Sequence, residues 1–265
     1  MSFLSSIFFF VLGAIIGSFI NVLVLRYGTG FSILGRSHCF SCNRQLRFYE
    51  LVPVVSFFAL SGRCRTCRSR IAFHYPLVEL TTAILFFLAA FRVYTGSVES
   101  LLHTLFVSGL FSILMAIAFY DVRHKIIPDG LVYAFILASL CVALARFVLY
   151  ESHSGFYANL LAGPFLFIPF FLLWFFSSGR LMGLGDGKLT LGIGWLLGLS
   201  LGASAIIIGV WVGAFVGLIL VLVSRLNRTD ITLTMKSEIP FAPFLIAGTI
   251  IVFFSGLNLF STSLF

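Results

Sequence analysis

Residues Leu181–Gly194 read LMGLGDGKLTLGIG, which sets a single carboxylate, Asp186, among five glycines with apolar runs on both sides. A second acid, Asp121, stands in AFYDVRHKIIPDG, again at the edge of an apolar run. Two carboxylates brought together cannot both ionise easily, so one keeps a proton near neutral pH. The ionised one can take a proton from water, the protonated one can donate to a carbonyl oxygen, and the pair titrates as a unit. That chemistry hydrolyses an amide without a serine, a catalytic metal or a nucleophilic thiol. Gly183 and Gly185 fit it, because a backbone without side chains lets an extended substrate approach and frees the turn before a helix. The alternative makes each acid a structural residue at a helix end. Asp129, after Pro128, reads as a helix N-cap, and Glu99, Glu151, Asp230 and Glu238 read as solvated residues of connections.

The glycine stretch fits other motifs poorly. A phosphate-binding loop needs GxxxxGK[ST], but Met182 stands where its first glycine belongs and Leu189 follows Lys188. Gly194, Gly198 and Gly202, then Gly209, Gly213 and Gly217, recur every fourth residue, the spacing of helix-packing faces.

A second constellation is made of sulfur. Cys39-Phe-Ser-Cys42 and Cys64-Arg-Thr-Cys67 are two CxxC pairs, able to place four thiolates in a tetrahedron that suits zinc. With all four positions filled by sulfur no site is left for water, so the metal is structural, one per chain. A pair of disulfides or a redox CxxC is the competing reading; the loop is expected in the cytoplasm, where disulfides are disfavoured. The same loop carries eight arginines against one acid, Glu50, enough to offset an anionic cluster. His38 is a possible extra ligand, and Cys141 reads as a packing residue.

The elements that must position these groups are membrane helices. Of 265 residues, 60% are hydrophobic, 33 are Phe and only 10% are charged, too little polar surface for a soluble domain of this size. Runs long enough to span fall at about 3–25, 77–95, 100–120, 131–150, 156–176, 189–203, 205–224 and 241–260, so the sequence predicts an all-α polytopic membrane protein of about eight helices. The first run has no charge before it and no cleavage site after it, and is read as a retained helix. With eight spans, one side of the membrane receives 15 of the 17 Lys and Arg and the other keeps Arg92 and Arg146. Basic loops face the cytoplasm, so both termini are expected on the other side. The net charge of +8 then reflects topology and gives no reason to expect nucleic acid as a partner. The chain divides into a first helix (1–25), a cytoplasmic cysteine loop (26–76) and a seven-helix core (77–265). Asp121 and Asp186 come at the same, inner boundary.

At this point the chain resembles the bacterial type IV prepilin peptidases, membrane enzymes with a GxGD signature. That signature is Gly183-Leu184-Gly185-Asp186, and the first acid is Asp121 within DVRHKIIPD. GSFINVLVLR at Gly17–Arg26, RSHCFSC, GRCRTC and YPLVE follow in the family's order through Glu79. The resemblance covers nearly the whole length. It implies an enzyme of the bacterial inner membrane with two activities: removal of a short basic leader after a glycine, with Asp121 and Asp186 catalytic, and N-methylation of the new N-terminus with S-adenosylmethionine as donor. Substrates would be type IV prepilins or the pseudopilins of type II secretion, presented in membrane lipid. Gly62 and Glu79 are the candidates for methyl transfer; Glu79 is otherwise a boundary residue paired with an arginine. Where the family often has Asn two residues before the loop proline, Leu51 precedes Val52-Pro53 here.

Two rivals stay open from the sequence. One is another GxGD intramembrane protease without methyl transfer. The other is a membrane scaffold whose zinc knuckles dock a partner, with both acids structural. A transporter is disfavoured because no acid falls mid-span.

Overall fold

The computed structural model describes residues 3–30, 32, 35–150, 153–226 and 240–260. Glu151, Arg228, Asp230, Lys236 and Glu238 lie outside the described residues, as do the side chains of His153 and Arg225. Among the described residues the helices are α1 (Phe3–Arg26), α2 (Val55–Ala59), α3 (His74–Val93), α4 (Val98–His124), α5 (Asp129–Tyr150), α6 (His153–Ser177), α7 (Leu184–Leu197), α8 (Leu199–Leu226) and α9 (Ala242–Ser255). A 3-10 turn, Phe48–Leu51, precedes α2. Each expected span has a helix at its place, but only α1, α3, α4, α5, α6 and α8 are long and apolar enough to cross a membrane. The other two, α7 and α9, have 14 residues each, about 21 Å at 1.5 Å per residue.

The boundary between the sixth and seventh runs differs from the expected one. The break comes at Gly198, whose φ of 82° is left-handed and whose N–H returns to Gly194 O at 2.8 Å. Gly198 is therefore the residue that ends α7, not part of a packing face; hydropathy could not place the break because apolar residues run through it.

The chain forms two compact units, Met1–Ala116 and Ile117–Phe265, divided within α4. In the first, α1 packs on α3. Gly13 and Gly17 make the approach possible: a Cβ on Gly13 would come within 2.8 Å of Phe86 and Ala83, and one on Gly17 within 2.7 Å of Glu79 Cα. Small residues four apart let backbones meet where hydrophobic burial gives no preference for protein over lipid. Phe9, Phe86 and Ala90 fill the seam, with Leu12, Ile16, Tyr94 and Leu101 around them. Arg26 closes the end of α1 by donating to Ser32 O, Gly35 O and Arg36 O.

In the second unit α7 is the central element, in contact with α5, α6, α8 and α9. Its glycines follow from that position. A Cβ on Gly194 would meet Ala162 O and Gly163 Cα at 2.7 Å, and one on Gly187 would press on Phe167. Leu189, Thr190 and Ile193 of α7 are fully buried. Trp195 Nε1 donates to Leu160 O at 2.9 Å and ties α7 to α6. Gly209 and Gly213 of α8 face Phe244 of α9, as helix-packing glycines should.

Candidate active site and metal centre

Asp121 lies in the last turn of α4 and Asp186 in the first turn of α7. Both are buried, 4% and 9% exposed. Helix starts carry free N–H groups and a partial positive charge, so they suit carboxylates. Asp121 uses one from a third helix: Oδ2 accepts the N–H of Ala242, the first residue of α9, at 3.2 Å. Asp186 lies within electrostatic range of the Asp121 carboxylate. Among the described residues the ion pairs are Arg44–Glu50 and Lys188–Asp129, so neither buried acid is neutralised by a base.

The two motif glycines have different reasons. Gly183 caps α7 with an extended backbone (φ −74°, ψ 146°), a conformation open to any residue. Its absent Cβ would lie 3.8 Å from Asp186 Oδ2, an ordinary contact. Gly185 is sterically required, because a Cβ there would come within 2.9 Å of Ile127 Cβ. The expectation of a freed turn before the helix gives way to close packing inside its first turn.

Asp129 is the first residue of α5 rather than the N-cap before it, and its side chain pairs with a lysine that nothing in the sequence pattern announces. Lys188 Nζ, two residues after Asp186, donates to Asp129 Oδ1 at 2.6 Å and sits 4.9 Å above the Tyr133 ring. The pair joins the starts of α5 and α7. His124 is beside Tyr120, ring centroids 4.4 Å apart.

In the first unit the four cysteines meet as expected. Their Sγ atoms all lie within 4.8 Å of one another, and Cys39 and Cys67 are 3.7 Å apart. A tetrahedral ion with bonds of about 2.3 Å needs sulfurs about 3.8 Å apart, so the thiols fit zinc. His38 is not in the group. The knuckles repeat one turn. Asn43 N–H donates to Cys39 O and Arg68 N–H to Cys64 O, while Asn43 and Arg68, each following a second cysteine, are left-handed at φ 54° and 57°.

The electrostatics also favour a cation. The Cys42 and Ser41 N–H groups outweigh burial and hold the Cys39 thiol down, at about 6. The Arg44 N–H favours a Cys42 thiolate too, yet desolvation and the sulfurs of Cys39 and Cys67 push that thiol up to about 11. Arg44 faces Cys64 and Cys42 and is held by Glu50 at 2.6 Å. Burial opposes the Glu50 charge, but the Arg47 N–H and the Arg44 guanidinium hold its carboxyl below the usual range.

Gly62 and Glu79 occupy the two ends of α2. Gly62 N–H returns to Phe57 O at 2.8 Å and Ser61 N–H to Phe58 O at 3.0 Å, both residues left-handed, which is a Schellman closure of the helix. A Cβ on Gly62 would press on the Phe57 ring at 3.0 Å. Glu79, buried in the first turns of α3, accepts the Val54 N–H at 2.7 Å, just before α2. In place of the expected arginine, its partners are the Val54 N–H and the Ser18 side chain.

Apolar helices long enough to cross a membrane, with two buried acids in mutual range and a four-thiol knuckle pair in the polar loop, define a class: a helical membrane protein built around an acid pair. Comparison narrows it. The bacterial peptidase A24 N-terminal domain matches residues 11–93, and the type IV leader peptidase family matches residues 108–222. A prepilin leader peptidase/N-methyltransferase of Bacillus subtilis is 34% identical over 255 residues, covering 95% of each chain. One of Burkholderia pseudomallei is 32% identical over 94% of this chain and 85% of its own. One of Pseudomonas aeruginosa is 30% identical over 91% and 87%. The chain belongs to the type IV leader peptidase family. No solved structure matches it.

Proposed function

We propose that this protein cleaves the leader from type IV prepilins or type II secretion pseudopilins after a glycine, at the cytoplasmic boundary of the bacterial inner membrane, and then methylates the new N-terminal amine. The observation that carries the cleavage reading is that Asp186 lies within electrostatic range of Asp121, both acids buried and without a basic partner among the described residues. One carboxylate is ionised and takes a proton from water as the water oxygen attacks the scissile carbonyl carbon. The other donates its proton to the carbonyl oxygen, giving a neutral tetrahedral diol. On collapse the first acid returns a proton to the departing nitrogen, the C–N bond breaks, and the second recovers a proton from the diol hydroxyl. Ala242 N–H, bonded to Asp121 Oδ2, orients that carboxylate.

Residues 77–265 form the peptidase core, with α7 and α9 completing a set of eight membrane-embedded helices and both termini on the non-cytoplasmic side. The loop at 26–76 serves methyl transfer. Cys39, Cys42, Cys64 and Cys67 would hold one structural zinc ion, which would cross-link the two knuckles without a part in hydrolysis. S-adenosylmethionine would supply the methyl group for the new N-terminal amine. Gly62 and Glu79 belong to this second activity through α2, and membrane lipid is the medium that presents the substrate helix.

The test gives purified protein a prepilin and the same prepilin with its leader glycine replaced. Cleavage only of the first supports the reading. Cleavage of both would indicate a protease of another kind, and cleavage of neither a scaffold.

A further inference from the structure

Val54 has φ 61° and ψ −52°, outside the allowed regions for an L-residue and worst for a β-branched one. Val55 N–H donates to Pro53 O at 2.6 Å across it, which makes the segment a γ-turn of the rare, positive-φ form. Such a conformation persists only where its surroundings over-determine it, and strained backbone gathers at functional sites. Here the determining group is visible. Glu79 Oε2 accepts the Val54 N–H at 2.7 Å, across 25 residues of sequence.

Glu79 is itself fixed. Gly17 of α1 leaves no room for a side chain against Glu79 Cα, Ser18 lies beside the carboxylate, and Asn21 Nδ2 donates to Tyr75 O one turn earlier at 3.1 Å. The rigid α1–α3 pair thus presents a carboxylate to the start of α2. The far end of α2 is closed by Ser61 and Gly62, two residues before Cys64 of the second knuckle. Between them Phe57 packs on Gly62, with its ring 6.1 Å from that of Phe73.

We propose that Glu79 is a positioning residue for methyl transfer: its carboxylate latches the strained turn at Val54 and so fixes α2 between the membrane helices and the second cysteine knuckle. This rests on the methyl-transfer reading above. The latch needs a hydrogen-bond acceptor at residue 79, and the need arises only because residue 54 is held at positive φ.

That logic gives a rescue experiment. Full-length wild type and the variants Glu79→Leu, Glu79→Gln and Glu79→Leu/Val54→Gly are each co-expressed with a prepilin, and the mature N-termini are read by mass spectrometry. Leader cleavage in the same sample reports that the variant is folded. Glu79→Leu should lower the methylated fraction at least about tenfold, the scale on which one such strained residue acts. Glu79→Gln keeps an acceptor and should stay within about twofold of wild type, and glycine at residue 54, which tolerates positive φ, should restore most of the loss. Methylation by wild type and Glu79→Leu alike would overturn the inference alone, as would a loss that glycine at residue 54 leaves unrepaired. No methylation by wild type would overturn the methyl-transfer reading and the inference with it.

Discussion

Asp186, in the first turn of α7, lies within electrostatic range of Asp121, in the last turn of α4, with all of α5 and α6 between them in sequence. The chain brings them together by packing α7 centrally, and α7 can be central because glycine lines it where α5 and α6 press closest.

The GxGD glycines should be unequal. Gly185→Ala forces a methyl group into Ile127 and should cost about 1–3 kcal/mol of stability, typical of overpacking, with leader cleavage reduced as Asp186 is displaced. Gly183→Ala meets no close atom at an ordinary φ and should change stability by less than about 0.5 kcal/mol. Thermal unfolding in detergent, with cleavage assayed beside it, measures both. Equal damage from the two would contradict the packing account.

Asp129 should behave as a structural acid despite its place near the site. Its ion pair with Lys188 is partly solvent-exposed, so Asp129→Asn should cost no more than about 1 kcal/mol. The peptidase should keep a near-normal cleavage rate. A loss comparable to that at the buried acids would show that Asp129 belongs to the chemistry.

Metal content should depend on the knuckles and cleavage should not. Elemental analysis of the purified protein should find about one zinc per chain, lost in Cys39→Ser/Cys42→Ser. Methyl transfer should fall in that variant far more than leader cleavage, because the acid pair has no use for the metal. A metal-free protein whose loop resists proteolysis like wild type would contradict the structural role.

Much of this was legible in the residues. Apolar runs mark every helix but the short α2, CxxC spacing marks the thiol cluster, and scarcity of acids in a hydrophobic chain singles out Asp121 and Asp186. What escaped was tertiary or conformational. Ala242 has no side chain to announce that its N–H meets Asp121. Gly198 ends α7 by its left-handed backbone inside an unbroken hydrophobic run. Lys188 meets Asp129 across 59 residues, and Glu79 meets Val54 through a main-chain group, so neither pairing leaves a pattern in composition or period. Gly185 was recognisable as a motif residue, but the Ile127 contact behind it was not.

The most direct test of the acid pair replaces Asp121 and Asp186 singly by Asn and reads the N-terminus of a co-expressed prepilin by mass spectrometry. Each folded variant should lose cleavage by at least about 10²-fold, the smaller end of what a positioned acid or base contributes, while wild type yields the mature chain cut after the leader glycine. Normal cleavage by either folded variant would contradict the account.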